Sequence, residues 1–187
     1  MKRAFLLTGR PGVGKTSLIK EALKESGLAA GGFYTEEIRE KGAREGFRIV
    51  TLDGRTEVLA HAGFRSPHRV SRYGVDTESL ERVGVPAIRN AIEHSELVVI
   101  DEIGKMELFS PAFRDAVSQA LAGGKPVLGA VMLAPHPWAD TIKRHAEVQV
   151  VVLTKENRQE VRAALKSWLN SIAKEEEHEQ DPGIDQA

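Results

Sequence analysis

Gly9-Arg10-Pro11-Gly12-Val13-Gly14-Lys15-Thr16 is the stretch whose reading decides the fold. It matches G-x-x-x-x-G-K-[ST], a pattern that cradles phosphate when a strand precedes it and a helix follows. Both flanks comply. Ala4-Phe5-Leu6-Leu7 is a short apolar run suited to a buried strand. In Ser17-Leu18-Ile19-Lys20-Glu21-Ala22-Leu23-Lys24 the apolar residues return at helical spacing. The glycines let backbone N–H groups curl around phosphate oxygens without a Cβ in the way. A helix starting near Gly14 aims the positive end of its dipole at the same anion. Lys15 is a mobile point charge for β- and γ-phosphates, and Thr16 offers a hydroxyl to Mg²⁺. Arg10 and Val13 occupy variable positions whose side chains need not touch the ligand.

Beyond the first helix, Ser26-Gly27 reads as a helix end. Strands are expected at residues 33–39, 47–52 and 56–60, with a charged turn at 41–46 and a hairpin signal at Asp53-Gly54. Residues 33–60 thus form an antiparallel hairpin extension of an otherwise mostly parallel sheet. Residues 61–75 mix Arg65, Arg69, Arg72 and two histidines with Gly, Ser and Pro, and read as a mobile loop. Asp76 is placed to cap a helix that Gly84 and Pro86 can split. Ser110-Pro111 opens another, serine at the cap and proline in the first turn. Strands follow at 126–133 and 148–153, with a short helix at 137–145 between them. A last amphipathic helix spans 156–173.

The alternation of strands and helices argues a doubly wound α/β domain over residues 1–173. Residues 174–187 carry six acids against one lysine and read as a disordered acidic tail. A length of 187 residues suits one such domain, and 41% apolar with 28% charged residues is a globular composition. A formal net charge of −1 gives no overall basic field for nucleic acid. The absence of cysteine excludes a disulfide framework, a cysteine zinc site and a cysteine nucleophile. No apolar run approaches the ~20 residues that span a bilayer. The apolar start ends at Thr8, where the glycine loop begins. A cytoplasmic setting is expected.

Leu97-Val98-Val99-Ile100 ends in Asp101-Glu102. Ligands in such folds sit at the carboxyl ends of strands, so this pair and residues 9–16 can reach one crevice. Asp101 is positioned to hold Mg²⁺ opposite Thr16; on its own it reads equally as a strand-end cap. Glu102, beside it, can take a proton from water attacking a γ-phosphate, which suits hydrolysis; the alternative is a solvated acid. Arg10, Arg65, Arg69, Arg72 and Lys105 are candidates for a cation that steadies transition-state charge, each otherwise a solvated surface charge. Thr154-Lys155-Glu156-Asn157 is similar to the [NT]-K-x-D guanine reader but carries Asn157 where the aspartate belongs. An amide cannot accept two guanine N–H bonds, so guanine specificity is not expected, and Thr154 reads as a helix cap. The six histidines show no metal spacing.

Four stretches together resemble the small nucleoside-triphosphatases first described from thermophiles, the family of the vertebrate cancer-related nucleoside-triphosphatase. They are residues 8–17, Gly31-Gly32-Phe33-Tyr34-Thr35-Glu36-Glu37-Ile38-Arg39, Val99-Ile100-Asp101-Glu102-Ile103-Gly104-Lys105-Met106-Glu107, and Leu153-Thr154-Lys155-Glu156-Asn157-Arg158. The resemblance implies a RecA-like sheet and Mg²⁺-dependent hydrolysis of NTPs to NDP and phosphate with broad base tolerance. It places Gly9 to Thr16 on the triphosphate, with Lys15 catalytic. Val98, Val99, Ile100, Asp101, Glu102, Ile103, Gly104 and Lys105 lie alongside, with Asp101 and Thr16 on the metal and Glu102 as base. Two other functions fit the loop: a nucleotide or nucleoside kinase with residues 61–75 as its lid, and an NTP-gated binding switch.

Overall fold

The computed structural model describes residues 2–180. Nine strands form one sheet in the order β5-β6-β4-β3-β2-β7-β8-β1-β9. They are β1 (Ala4–Thr8), β2 (Ala30–Glu40), β3 (Ala43–Thr51), β4 (Thr56–His61), β5 (Arg69–Val70), β6 (Tyr73–Val75), β7 (Leu97–Ile103), β8 (Val127–Val131) and β9 (Val148–Val152). The helices are α1 (Lys15–Ser26), α2 (Thr77–Ser79), α3 (Val85–His94), α4 (Pro111–Ala122), α5 (Pro137–Lys143) and α6 (Arg158–Gln180).

β1 explains the three layers. Successive side chains of a strand point to opposite faces, and here both faces are apolar. Phe5 and Leu7 pack with Leu18, Ile19 and Ala22 of α1 and Val161, Leu165 and Trp168 of α6. Ala4 and Leu6 join the core that holds Ile88 and Ala91 of α3 and Phe113 and Val117 of α4. β7 and β8 follow the same rule, so helices cover both faces of the parallel half.

The sheet is evenly mixed, not mostly parallel. β2-β7-β8-β1-β9 pair in parallel. β2-β3, β3-β4, β4-β6 and β6-β5 pair antiparallel. The extension therefore outgrows the expected hairpin. Its first turn is tighter than expected as well: only Lys41 (φ 48°) and Gly42 (φ 83°) separate β2 from β3. Two positive-φ residues match the twist of flanking strands, and residues 43–46 are left free to pair.

Residues 61–75 are not a loose loop. They include the β5-β6 hairpin, tied down by contacts distant in sequence. Tyr73 packs edge-on against Phe47 at 5.4 Å between ring centroids, and His68 lies over Phe109 at 4.7 Å. The Ser66 hydroxyl donates to the Val75 carbonyl at 2.6 Å. The Asp76 carboxylate caps α2 as its position implies, accepting from the Glu78 and Ser79 N–H groups. A π-helical turn, Leu80–Gly84, leads on into α3.

The last helix passes the expected end at residue 173 and continues to Gln180. Glutamate and lysine are good helix formers, and Glu175 reaches Arg3 at 2.9 Å. Residues 174–180 continue the helix; the rest of the expected tail, 181–187, lies outside the described residues. No described helix is long and apolar enough to cross a membrane.

Candidate functional site

The loop between β1 and α1 takes its shape from two glycines. Gly12 (φ 77°) and Gly14 (φ 98°) hold left-handed conformations, and Gly14 stands at the N-terminus of α1. Lys15 folds back over the loop, its Nζ donating to the Gly9 carbonyl at 3.1 Å.

β8 lies between β1 and β7. At sheet spacing the loop strand and the Asp101 strand are about 10 Å apart, a gap that side chains from both can bridge. The β7-β8 register slips at this point: Ile100 pairs with Gly129, but Ile103 pairs with Val131. One extra residue in β7 bulges the strand and re-aims its side chains. Asp101 is buried and Glu102 is only partly so. Glu102 Oε2 comes to 3.8 Å from Lys15 Nζ. Lys15, with 11% of its side chain exposed, and Glu102, with 35%, thus face each other across the crevice.

Burial pushes the Asp101 carboxyl up to about 7; the nearby Thr16 hydroxyl works against that, the Glu102 charge adds to it, and the Lys15 charge opposes it. Asp101 Oδ2 is buried and has no hydrogen-bond partner among the described residues. A buried carboxylate oxygen without a partner is costly, and it lies beside a hydroxyl. This pair fits a hard divalent cation with oxygen ligands. No group of three or more His, Cys, Asp or Glu is arranged for a metal among the described residues. Mg²⁺ does not require one, because it is usually held by one or two protein oxygens with phosphates and water.

A third acid belongs here, and sequence reasoning gave it no role. Glu107 follows the Asp101-Glu102 strand on a short 3₁₀ turn, Glu107–Phe109, and is 5% exposed. Burial pushes its carboxyl up to about 8, and the Glu102 charge adds to the shift. Glutamate is rarely fully buried, so only the packing shows where Glu107 lies, even with Met106, Leu108 and Phe109 beside it. An acid with a raised folded pKa holds its proton more tightly in the folded chain. Its contribution to stability is complete below pH 4.5, the unfolded value, and is lost as pH rises through about 8. Glu107→Gln should therefore match the parent near pH 5 and melt about 5 °C or more higher at pH 9. Thermal melts in EDTA at the two pH values check this; a shift equal at both would remove the assignment.

Gly104 separates these carboxylates. A Cβ there would lie 2.9 Å from Glu102 Oε1 and 3.0 Å from Glu107 Oε2. Glu102 is partly exposed and can turn aside, but its Cγ also lies 3.0 Å away and Glu107 is packed, so Gly104→Ala should cost about 1–3 kcal/mol of stability. Displacing the acid that faces Lys15 should lower kcat about 10- to 100-fold, with NTP binding retained. Steady-state kinetics alongside a melting curve tests this; unchanged kcat would contradict it.

The cation candidates separate clearly. Arg69 donates to the Phe64 and Arg72 carbonyls, and Arg72 to the Arg44 carbonyl and Glu45. Both brace the β5-β6 hairpin. The Arg10, Arg65 and Lys105 side chains are exposed and unpaired among the described residues. The cation that does reach the loop, Arg158, was not among the candidates. Its Nη1 donates to the Gly14 carbonyl at 3.2 Å and its Nη2 to Glu21 at 3.0 Å. The signal was present in Thr154-Lys155-Glu156-Asn157-Arg158, but the contact spans 144 residues. Asn157 is engaged within its own turn. Its Oδ1 accepts from Thr154 N at 2.8 Å, its Nδ2 donates to the Val152 carbonyl at 2.8 Å, and Thr154 Oγ1 accepts from Asn157 N at 3.2 Å. The reciprocal pair closes a turn just before α6, which starts at Arg158 and not at 156, so Asn157, whose carbonyl accepts from Val161 N at 3.0 Å, stands at the cap and Thr154 lies upstream of it.

A family model described as NTPase matches residues 4–165. Nucleoside-triphosphatase THEP1 of Thermotoga maritima is 44% identical over 154 residues, covering 82% of this chain and 88% of that protein. The human cancer-related nucleoside-triphosphatase is 44% identical over 174 residues, covering 84% and 92%. The crystal structure of THEP1 from Aquifex aeolicus superposes with a TM-score of 0.82 at 36% identity, covering 89% of this chain and 98% of that one.

Proposed function

The chain belongs to this NTPase family and is a nucleoside-triphosphatase, and from that premise we propose a Mg²⁺-dependent attack of water on the γ-phosphate, carried by named residues. The observation that carries the proposal is the approach of Glu102 to Lys15 at 3.8 Å, beside an Asp101 oxygen with no partner.

The N–H groups of residues 9–16 surround the phosphates, and Lys15 binds the β- and γ-oxygens. Thr16 and Asp101 are the residues that would hold Mg²⁺. Bound there, the ion neutralises charge that builds on the phosphate oxygens. The triphosphate draws Lys15 toward it and frees Glu102 to act as general base. Glu102 takes a proton from water as the water oxygen bonds to the γ-phosphorus. The bond from that phosphorus to the bridging oxygen breaks, and NDP leaves with the electron pair. The Val98–Lys105 segment forms the wall along which this happens. β8 lying between the loop strand and the Asp101 strand supports a RecA-like reading of the parallel half.

The engaged Asn157 amide supports base tolerance, because its Oδ1 and Nδ2 already bond to Thr154 N and the Val152 carbonyl. ATP, GTP, CTP and UTP should each release phosphate with Mg²⁺ and no acceptor, and EDTA should stop all four. A rate that appears only when a nucleoside or NMP is added would show a kinase instead.

A further inference from the structure

The turn from β9 into α6 presses on the loop at two points. A Cβ on Gly9 would lie 2.5 Å from the Leu153 carbonyl oxygen, and one on Gly14 would lie 2.8 Å from Arg158 Nη1. Gly14 is glycine because of its φ of 98°, and the Arg158 guanidinium occupies the space where a Cβ would go. The Gly14 carbonyl that Arg158 binds also accepts the first bond of α1, from Leu18 N at 3.0 Å. One oxygen therefore joins the phosphate loop, α1 and α6.

The placement of Arg158 runs against local electrostatics. It is the first residue of α6, where the positive end of the helix disfavours a cation. Glu21 offsets that from α1. The Thr154–Asn157 turn fixes the backbone that delivers the side chain. Two helix N-termini and two cations, Lys15 and Arg158, converge on one short loop.

We propose that Arg158 is a positioning residue for phosphate binding, tying the Gly14 carbonyl to α6 so that the loop is ordered before the triphosphate arrives. This rests on residues 9–16 being the triphosphate site. Glycines at positive φ lose much conformational freedom on ordering. A loop ordered in advance avoids that cost at binding. The tie acts on bound substrate and transition state alike, so it belongs in KM and not in kcat. It acts through the loop and not on the base, so every NTP should feel it equally. Inorganic tripolyphosphate, which has no base or sugar, should feel it too.

The test compares Arg158→Ala and Arg158→Lys with the parent, using kcat and KM for the four NTPs and inhibition by tripolyphosphate. Arg158→Ala should raise KM about 10-fold for all four and weaken tripolyphosphate by the same factor, with kcat within about twofold. Lysine keeps the charge but cannot bridge Gly14 and Glu21 with a planar fork, so most of the loss should remain. Millimolar guanidinium should restore part of the affinity in Arg158→Ala, a rescue that general destabilisation would not permit. Unchanged KM would overturn the proposal. So would a fall in kcat at constant KM, or weaker NTP binding with tripolyphosphate unaffected, which would place Arg158 on the nucleoside. Lys15→Ala serves as the control. If that variant still binds tripolyphosphate, the loop reading itself fails and the proposal falls with it. If it does not, a null result at Arg158 counts against Arg158 alone.

Discussion

Lys15→Ala is expected to lose NTP binding and hydrolysis together, with kcat/KM down by about 10³-fold or more. Lys15 is the nearly buried cation of the crevice, 3.8 Å from Glu102 and 3.1 Å from the Gly9 carbonyl. Its charge also lowers the proton affinity of Asp101. Removing it leaves Asp101 and Glu102 facing phosphate oxygens with their principal counter-charge gone. The Gly9 carbonyl loses its donor as well, so the loop should relax and not simply lose one contact. Titration with a fluorescent NTP and a phosphate-release assay read the two losses. Binding within about threefold of the parent would show that the loop does not hold the triphosphate.

Glu102→Gln should behave in the opposite way, binding NTP but turning it over about 10² to 10⁴ times more slowly. The amide is close in size and leaves Thr16 and Asp101 untouched, but it cannot take a proton from water. Removing a negative charge beside the γ-phosphate should, if anything, tighten NTP binding. The substitution also removes a charge that raises the proton affinity of both Asp101 and Glu107, so it should not destabilise the fold. A slow variant saturated with NTP is the expected result, read by kcat alongside a direct binding titration. Unchanged turnover would remove Glu102 from the mechanism. Weakened binding matched by an equal fall in kcat/KM would make it a binding residue.

The contrast between these variants reflects what the sequence reveals readily. The loop, its strand and its helix are legible because glycine spacing, an apolar run and helical periodicity are local signals. That Asp101 and Glu102 lie toward the end of a strand is legible because they close an apolar run. The burial of Glu107 and the reach of Arg158 are not, because they depend on contacts that no window of sequence contains. Glu107 is defined by burial beside Glu102, and Arg158 by a carbonyl at position 14. Residues 61–75 fail as a loop for the same reason: Tyr73 on Phe47 and His68 on Phe109 hold them in the sheet. The bulge at residues 101–102 is equally invisible from the sequence, though it accompanies the change from buried Asp101 to partly exposed Glu102. At the other end, the acidic composition of 174–180 suggested disorder, whereas its helix-forming residues extend α6.

The claim that water is the acceptor at the γ-phosphorus is tested most directly by turnover in ¹⁸O-labelled water with Mg²⁺, one NTP and no acceptor. Mass analysis then locates the label in the products. With Glu102 acting on water beside the γ-phosphate, one ¹⁸O should enter each released phosphate and none the NDP. Label in the NDP, or released phosphate without label, would contradict the account.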